Sequence, residues 1–422
     1  MTNAFDEGAL AGVRVIDFTN YIAGPVVTRF LSDMGAEVIK VELPPREDPI
    51  QPRFNAHSPG AASGAIAFAH WNRGKKSVCL DFHKPEGLTI TKELIRRADV
   101  VVENFSPGVM QRAGLSYEEL RQLNPRIVMC SVSGCGQTGP LAHRPGNDHV
   151  AQALSGVMDL TGYPDRAPAL PGYFIADNNG GVHGAIAVCA ALFRRERTGR
   201  GQQIDISLVE ALFHLHDMGL VQHLASHGES RPVRMGSHHP STSPCGVFQA
   251  RDGYVVITAL VHHWEHFVRT IGKPELLDDP RFNPTFTRLG NRLELVPIIE
   301  EWLKSFPSRD DALKILNANH ILAAPVLDIA QAIEQPQFKE RDVVRDVEHP
   351  AFGNLQLPVT PLRFSESATE ISSRAPMIGE HNLSVLSSYL GYSAQQVEEL
   401  TSKGVLVREA AVAERDQRPP VS

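Results

Sequence analysis

The sequence lacks several features that would assign a function class directly. No apolar run approaches the roughly 20 residues of a membrane-spanning helix, so no membrane association is expected. The opening segment has no basic stretch followed by an apolar one and therefore predicts no secretory signal. Lys and Arg total 41 against 48 Asp and Glu, and the formal net charge of −7 argues against nucleic acid as a partner.

Cysteine is scarce. The five cysteines show neither CxxC spacing nor the dense framework of a disulfide-rich secreted domain. Cys79 and Cys189 lie in apolar runs, where cysteine acts as a small hydrophobic residue, and we expect a reduced, cytoplasmic enzyme. His262 and His266 have the i, i+4 spacing of half a zinc site, but the HExxH order and a nearby third ligand are missing. No metal site is predicted.

Two nucleotide-binding motifs are also missing. The first predicted strand is followed by FTNYIAGPVVTRFL, which contains a single glycine, Gly24, instead of the GxGxxG pattern. A GxxxxGK[ST] phosphate loop does not occur. NAD, FAD and ATP are therefore not expected, and we predict no tightly bound cofactor.

Alternating strand and helix patterns are present over residues 1–135. Apolar, β-branched runs alternate with amphipathic segments, which predicts an α/β fold with a mostly parallel sheet. Such sheets bind ligands at the carboxyl ends of their strands. Another helix is predicted over 182–197, a hairpin in VFQARDGYVVI, and a helical pair near the C-terminus. We divide the 422 residues into a large domain (1–200), a linker (201–224), a smaller α+β domain (225–325), a return to the large domain (326–407) and a disordered tail (408–422).

One short segment combines a carboxylate with glycines. In GYFIADNNGGVHGAIAVC, residues 172–189, Asp177 precedes two asparagines, two glycines and a helix of small residues. One interpretation is a helix N-cap, a position that Asp favours. The other is a nucleophile, since the glycines let a substrate approach the backbone and a helix N-terminus keeps the acid ionised. The segment alone does not separate the two.

Several longer segments resemble the family III CoA-transferases, a group that includes formyl-CoA transferase and carnitine CoA-transferase. They occur in the family's order over roughly residues 9–408 and include LAGVRVIDFTNYIAGPVVTRFLSDMGAEVIKVE, WNRGKKSVCLDF, ADVVVENFSPGVMQRAGL, RPGND, QALSGVMDLTG and RTGRGQQIDISLVEAL. The resemblance implies a Rossmann-like large domain with a smaller domain. It also implies an interlocked homodimer whose substrates are an acyl-CoA and a small carboxylic acid.

The resemblance also assigns catalytic roles. Asp177 matches the family's nucleophilic aspartate, which forms a mixed anhydride and then an aspartyl-CoA thioester. The Asn-Asn-Gly-Gly turn is expected to supply backbone amides to the transient oxyanions. Asp148 matches an acidic position close to the nucleophile, with a structural hydrogen-bonding role as the alternative.

Other positions match residues that contact coenzyme A in the family. They lie in the loop after the first strand, in a segment near the adenine and in a stretch that lines the nucleotide: Asn20, Tyr21, Ile22 and Ala23; Leu80 and His83; Asn104, Phe105, Arg112 and Ala113. Arg112 is the best phosphate partner, unless it is a solvated helix residue. Arg73, Lys75 and Lys76 form a basic patch that either assists or is a solvated turn.

The chain also departs from the family. Ile22 replaces a glutamine of formyl-CoA transferase, which favours a larger, partly apolar acid over oxalate or formate. His83 replaces a lysine, and MGSHHPST (235–242) stands where that enzyme has a mobile tetraglycine loop. Two alternatives stay open: an α-methylacyl-CoA racemase, whose histidine base falls at Asn147 with His149 as a substitute, and a non-catalytic CoA-binding protein.

Overall fold

A parallel sheet organises the larger part of the computed structural model, which describes residues 8–44, 59–369 and 373–409, without the side chains of 59–65. Its strands are β1 (Arg14–Asp17), β2 (Glu37–Glu42), β3 (Lys76–Cys79), β4 (Val100–Glu103), β5 (Val128–Ser133) and β6 (Gln203–Ser207). The spatial order is β3-β2-β1-β4-β5-β6, with every neighbouring pair parallel. The predicted α/β class and parallel sheet are confirmed.

Helices connect these strands. Those associated with the sheet are α1 (Ala23–Asp33), α2 (Pro59–Asn72), α3 (Pro85–Arg96), α4 (Val109–Arg112), α5 (Tyr117–Leu123), α6 (Asp148–Leu154), α7 (Val157–Leu160), α8 (Ile175–Thr198) and α9 (Leu208–Phe213). Helix α8 begins seven residues before the predicted 182–197, because its glycine-rich first turns are helical.

Both faces of the sheet are buried, as parallel sheets require. Along β4, Val101 belongs to one apolar cluster, whereas Val100 and Val102 belong to the cluster on the other face. This alternation follows from the two-residue period of a strand. The continuous valines of VVVE are therefore the signature of a strand covered by helices on both sides.

The remaining elements complete the chain. They are α10 (Met218–Ala225), β7 (Cys245–Gln249), β8 (Tyr254–Thr258), α11 (Trp264–Thr270), α12 (Thr285–Gly290), α13 (Arg292–Lys304), α14 (Arg309–Ala318), β9 (Leu322–Pro325), α15 (Ile329–Ile333), α16 (Pro336–Glu340), β10 (Val344–His349), β11 (Gly353–Pro358), α17 (Asn382–Leu390) and α18 (Ala394–Ser402). Two 3₁₀ turns cover Val261–His263 and Pro274–Leu277. The predicted hairpin and the C-terminal helical pair are confirmed, whereas α2 and the β10–β11 hairpin were not predicted.

The described residues fall into two compact units. One contains those of 1–157, 171–216 and 339–422, and the other contains 158–170 and 217–338. The second unit has its own antiparallel sheet, β7-β8-β9, and an apolar core that includes Phe248, Phe267 and Ile299. The predicted domain boundaries stay predictions, and all but residues 408 and 409 of the predicted tail lie outside the described residues.

Within the described ranges, no helix combines the length and the apolar character needed to span a bilayer.

Candidate active site

The carboxyl ends of β1 and β4 form the topological switch point of the sheet. Chain connections leave in opposite directions from these two adjacent strands, and open α/β sheets bind ligands in the crevice that results. Asn20 follows β1 and Asn104 follows β4. The Asn20 N–H donates to Asn104 Oδ1 at 2.8 Å, and Asn104 Nδ2 donates to the Asn20 carbonyl at 2.8 Å. Two of the predicted coenzyme segments therefore meet here.

A buried ion cluster fixes the base of the β1 loop. Asp17 accepts hydrogen bonds from the Thr19 amide at 2.7 Å, from Thr28 Oγ1 at 2.7 Å and from Lys75 Nζ at 2.9 Å. Lys40 Nζ donates to the Thr19 carbonyl. Burial alone would raise the pKa of the Asp17 carboxyl, but Lys40 and Lys75 hold it well below its usual range. The loop leaves the sheet from a rigid, ionised anchor.

The charges of the predicted basic patch have partners within the fold. Lys75 is buried against Asp17, and Arg73 is buried with its guanidinium 2.8 Å from Asp33. Lys76 Nζ donates to Glu37 at 2.5 Å. Arg73 and Lys75 are therefore not part of a solvated turn, because their charges are held in buried ion pairs, whereas Lys76 is partly exposed beside Glu37. That the patch assists coenzyme binding stays a prediction.

The residues of the loop after β1, Asn20–Ala23, differ in their exposure to solvent. Tyr21 is 88% exposed, whereas Ile22 is 7% and Ala23 is 5% exposed. Ile22 is the N-cap of α1 and makes no side-chain capping hydrogen bond. The inference of a larger acid assumed that Ile22 faces the substrate. Since its side chain is in the core, that inference loses its structural support.

The positions predicted near the adenine lie at the end of β3. Leu80 is fully buried in the core and pairs with Leu406, so its side chain is not presented to a ligand. His83 is exposed, with its ring 4.8 Å from that of Phe82. Strand β3 is separated from β1 by β2, which places these residues about 10 Å along the sheet from the switch point.

The nucleotide-lining stretch follows β4. The Phe105 N–H donates to the Glu103 carboxylate at 2.8 Å, and Ala113 is half-buried against the core. Arg112 ends α4 with an exposed side chain, and no acidic partner for it occurs in the described ranges. Of the predicted coenzyme residues, Arg112 is the one that presents a cation.

Asp177 is not the cap of its helix. Helix α8 begins at Ile175, and its N-cap, Phe174, makes no side-chain hydrogen bond. Instead, Asp148 Oδ2 accepts from the Ala176 amide at 2.7 Å and from the Asp177 amide at 3.1 Å. The capping interpretation of Asp177 is therefore wrong. Among the groups that the structure describes, none donates a hydrogen bond to its carboxylate.

Burial, followed by the negative charge of Asp148, raises the pKa of the Asp177 carboxyl to about 7. The expectation that the helix N-terminus keeps this acid ionised is incomplete, because it leaves out the burial of the carboxyl and the nearby charge of Asp148. Near neutral pH, roughly half of the molecules carry the ionised form. A half-buried carboxylate that has lost part of its hydration is a suitable nucleophile.

The Asn-Asn-Gly-Gly segment is helical, so the predicted turn is wrong. The Asn178 amide donates to the Phe174 carbonyl at 3.2 Å, and the following amides are inside the helical ladder. A Cβ at Gly180 would lie 2.4 Å from Leu208 Cδ2, and one at Gly181 would lie 2.5 Å from Val26 Cβ. The glycines allow helix packing, and this segment does not supply an oxyanion site.

Gly181 also locates Asp177 relative to the β1 loop. Residues i and i+4 share a helix face, so Asp177 lies one turn before Gly181 on the same side of α8. A Cβ at Gly181 would lie 2.9 Å from the Ala23 carbonyl oxygen. The Asp177 carboxylate and the Asn20–Ala23 loop are therefore at the same end of the α1–α8 pair.

Asn147, the position that matches the histidine base of a racemase, has a capping role, and His149 is the possible substitute for that base. Asn147 is the N-cap of α6, and its Oδ1 accepts from the Val150 amide at 3.1 Å. The exposed His149 ring lies 5.8 Å from the Phe174 ring. The amide of Asn147 cannot take up a proton near neutral pH.

No group of three or more His, Cys, Asp and Glu side chains is placed to hold a metal ion in the described ranges. His262 lies before α11, and His266 Nε2 is 2.6 Å from the Asn319 carbonyl oxygen. The 235–242 segment pairs with β7, where the Val247 amide donates to Ser237 O at 2.9 Å.

Two acidic residues of the site were missed by the sequence analysis. Asp17 and Glu103 end adjacent strands, and each carboxylate accepts the amide two residues later. Burial raises the pKa of Glu103 to about 7 despite hydrogen bonds from Ser131 and Phe105. The available signal was an acid directly after a run of buried β-branched residues, as in VRVID and VVVE.

Comparisons with known proteins agree on one family. The model of CoA-transferase family III matches residues 10–382. The succinyl-CoA:glutarate CoA-transferase of Homo sapiens is 32% identical over 401 residues, or 94% of this chain and 90% of that protein. The acetyl-CoA:oxalate CoA-transferase of Acetobacter aceti is 36% identical over 366 residues, or 86% and 91%. The crystal structure of a CAIB/BAIF family protein from Brucella suis superposes with a TM-score of 0.79 at 35% identity, over 91% of this chain and 100% of that one.

Proposed function

The chain belongs to CoA-transferase family III, and we propose that Asp177 is the group through which it moves coenzyme A from an acyl-CoA to a free carboxylic acid. The observation that carries this proposal is that the carboxylates of Asp148 and Asp177 differ in their hydrogen bonds. Asp148 caps α8, which leaves the Asp177 carboxylate without a hydrogen-bond donor from the described residues and next to the switch-point loop.

The proposed reaction preserves the thioester energy. An Asp177 oxygen attacks the thioester carbonyl, the C–S bond breaks, and a mixed anhydride and the coenzyme thiolate result. The thiolate attacks the aspartyl carbonyl and releases the first acid, which leaves an aspartyl-CoA thioester. The second acid attacks that thioester, which gives a new mixed anhydride and the coenzyme thiolate. The thiolate then attacks the acyl carbonyl of this anhydride, and the products are the new acyl-CoA and the free Asp177 carboxylate. No ATP is consumed, because each step exchanges one activated acyl group for another.

The coenzyme site extends from the switch point. Tyr21 and Asn104 lie at the carboxyl ends of β1 and β4, where such sheets bind ligands. Arg112 is an exposed cation at the end of α4, the helix that follows β4, and suits a phosphate of the coenzyme. His83, two strands away, is at a distance that suits the nucleotide end of a long, extended ligand.

The substrate acids are proposed at the level of class only. The relatives are named for glutarate, oxalate and succinyl-CoA, which are short carboxylic acids or their thioesters. We assign this chain a small carboxylic acid as acceptor and an acyl-CoA as donor.

We also propose that the chain is an interlocked homodimer. Helix α8 carries an apolar stripe on the face opposite to its glycines, with Ile186 62% and Phe193 67% exposed. Val182 is on the same stripe. Monomeric proteins seldom expose a contiguous apolar helix face, so cover by a second copy is the simplest account.

The test is transfer of labelled coenzyme A from an acyl-CoA to a second acid. We expect ping-pong kinetics and an Asp177 adduct that hydroxylamine or borohydride traps and mass spectrometry locates. Asp177→Asn and Asp177→Ala should abolish both signals, while the matched variant Glu196→Gln, an exposed acid at the other end of α8, retains them. Transfer at a near-normal rate in Asp177→Ala would contradict the assignment of Asp177 as the nucleophile.

The same assay separates the alternatives. A racemase would exchange the α-hydrogen of a 2-methylacyl-CoA with heavy water and would need no acceptor acid. A non-catalytic binding protein would bind coenzyme A without forming an adduct. We expect acceptor-dependent transfer without substantial deuterium uptake.

A further inference from the structure

Tyr21 combines two properties that rarely occur together. Its φ of 59° lies in the left-handed region, which side chains other than glycine seldom adopt. It is also 88% exposed, although it is a large aromatic residue. Backbone strain of this kind persists only where the surroundings impose it, and it occurs preferentially at functional sites.

The neighbours of Tyr21 impose this conformation. On one side, Thr19 is held through its amide by Asp17 and through its carbonyl by Lys40. On the other side, Ile22 is buried, and its carbonyl accepts the first helical hydrogen bond of α1 from Val26 at 2.8 Å. Since both flanks are fixed, the change in chain direction falls on Asn20 and Tyr21.

The side chain of Asn104 fixes the backbone of Asn20. Both ends of its side-chain amide are bonded to the Asn20 backbone, at 2.8 Å each. Gly24 makes room for this contact, since a Cβ there would lie 2.5 Å from Thr19 Cβ and 2.9 Å from Asn104 Cγ. An amide used in this way suits a positioning role better than a direct contact with the coenzyme.

These contacts locate Tyr21 relative to Asp177. Tyr21 is two residues from Ala23, whose carbonyl faces Gly181 one turn beyond Asp177. An acyl group approaching the Asp177 carboxylate from the switch point passes this end of the loop. An aromatic ring at that place, on a loop whose backbone is held at Thr19 and Asn20, limits the width of the acyl group.

We propose that Asn104 is a positioning residue that holds Tyr21 at the entrance to Asp177, and that the Tyr21 ring selects straight acyl chains over chains branched at the α-carbon. The proposal rests on the proposed role of Asp177. It adds a structural basis for acyl selectivity, which consists of the strained Tyr21 and the Asn104 amide that holds its loop.

The experiment measures single-turnover acylation of Asp177 by butyryl-CoA and isobutyryl-CoA, with the adduct followed by mass. Tyr21→Gly removes the ring and tolerates the positive φ, so it should raise the relative rate for the branched group about tenfold or more. Tyr21→Phe should keep the wild-type preference. Asn104→Ala should shift the preference in the same direction as Tyr21→Gly, and the double variant should add little, because both changes act through one ring.

The matched control is Asn124→Ala. Asn124 also holds backbone groups through its side-chain amide, donating to Ala98 O at 2.8 Å and accepting from the Arg126 amide at 3.0 Å, but at the amino ends of β4 and β5. It should lower stability without changing the preference. Unchanged preference in Tyr21→Gly, or additive effects in the double variant, would overturn the proposal while leaving the nucleophile intact. Acylation of the wild type by neither thioester would also overturn the selectivity proposal, whereas the role of Asp177 is overturned separately, by near-normal transfer in Asp177→Ala.

Discussion

Asp148 and Asp177 are neighbouring carboxylates with different tasks, which their environments set. Asp148 is buried and accepts two backbone amides, which is a strongly stabilising arrangement for a negative charge. Asp177 has no such donors in the described part of the chain, and it experiences the charge of Asp148. The carboxylate with backbone donors therefore caps α8, and the carboxyl whose pKa is raised is that of Asp177, the proposed nucleophile.

The first prediction concerns pH. Because the pKa of Asp177 is raised to about 7, its carboxylate form is lost as the pH falls below 7. Single-turnover acylation by an acyl-CoA should therefore rise with pH, with an inflection near 7, and level off above it. A rate that is flat from pH 5 to 9 would contradict a nucleophile with this pKa.

The second prediction uses Asp148→Asn. This change removes the like charge but retains an oxygen for the α8 amides, so the acylation inflection should move to lower pH. Gln152 Oε1 is buried and has no hydrogen-bond partner among the described residues, so it can accept from the new amide after rotation of its side chain. The fold should therefore be retained. Asp148→Ala is the contrasting variant: it leaves the capped amides unsatisfied and should cost about 1–3 kcal/mol in urea unfolding.

The third prediction concerns Arg112. If this exposed guanidinium pairs with a coenzyme phosphate, Arg112→Ala should weaken coenzyme A binding by about 1–3 kcal/mol in calorimetry at moderate salt. Arg121→Ala is a control, as another arginine near a helix end on the α5 surface. Unchanged affinity in Arg112→Ala would place this residue on a solvated face.

At the scale of elements, the packing of α8 on α1 determines where Asp177 is held. Three helical glycines face neighbouring side chains: Gly180 faces Leu208, Gly181 faces Val26, and Gly184 faces Val27, with a Cβ at Gly184 2.7 Å from Val27 Cγ2. Glycine inside a helix costs about 1 kcal/mol relative to alanine. Close approach of the two helices compensates for that cost.

The fourth prediction is that Gly181→Ala destabilises the fold by about 1–3 kcal/mol and slows acylation, because the added methyl group pushes α8 away from α1. Thermal or urea unfolding measures the first effect, and single-turnover kinetics the second. Gly290→Ala is the matched control, since this helical glycine has open space where a Cβ would be placed. It should be neutral or slightly stabilising. A Gly181→Ala protein as stable as the wild type would contradict the close-packing argument.

At the scale of the whole molecule, the apolar stripe of α8 needs a partner surface. It lies on the helix that carries Asp177, so the proposed dimer contact and the proposed nucleophile are on the same element. Interlocked chains cannot separate as rigid bodies.

The fifth prediction is that sedimentation finds a dimer at every concentration at which the chain is folded, with dissociation only on unfolding. Phe193→Asp, which places a charge on the stripe, should lower the yield of dimer. A folded monomer that appears on dilution of the wild-type protein would show that the chains are not interlocked.

The local pattern of the sequence by itself determined the parallel sheet, most of its helices and the family. Runs such as VRVID and VVVE reveal buried strands because the periodicity of a strand is a property of adjacent residues. The same holds for Asp177, which stands in a short segment that matches the family's nucleophile.

The tertiary structure decided which group each side chain contacts. It assigned the cap of α8 to Asp148, 29 residues from Asp177, and buried Lys75 against Asp17, 58 residues away. It also turned Ile22 inward and Tyr21 outward, and placed the glycines of α8 against α1 and α9. These outcomes depend on distances between residues that are remote in the chain, and a local pattern of amino acids does not encode which remote neighbour folding brings into contact.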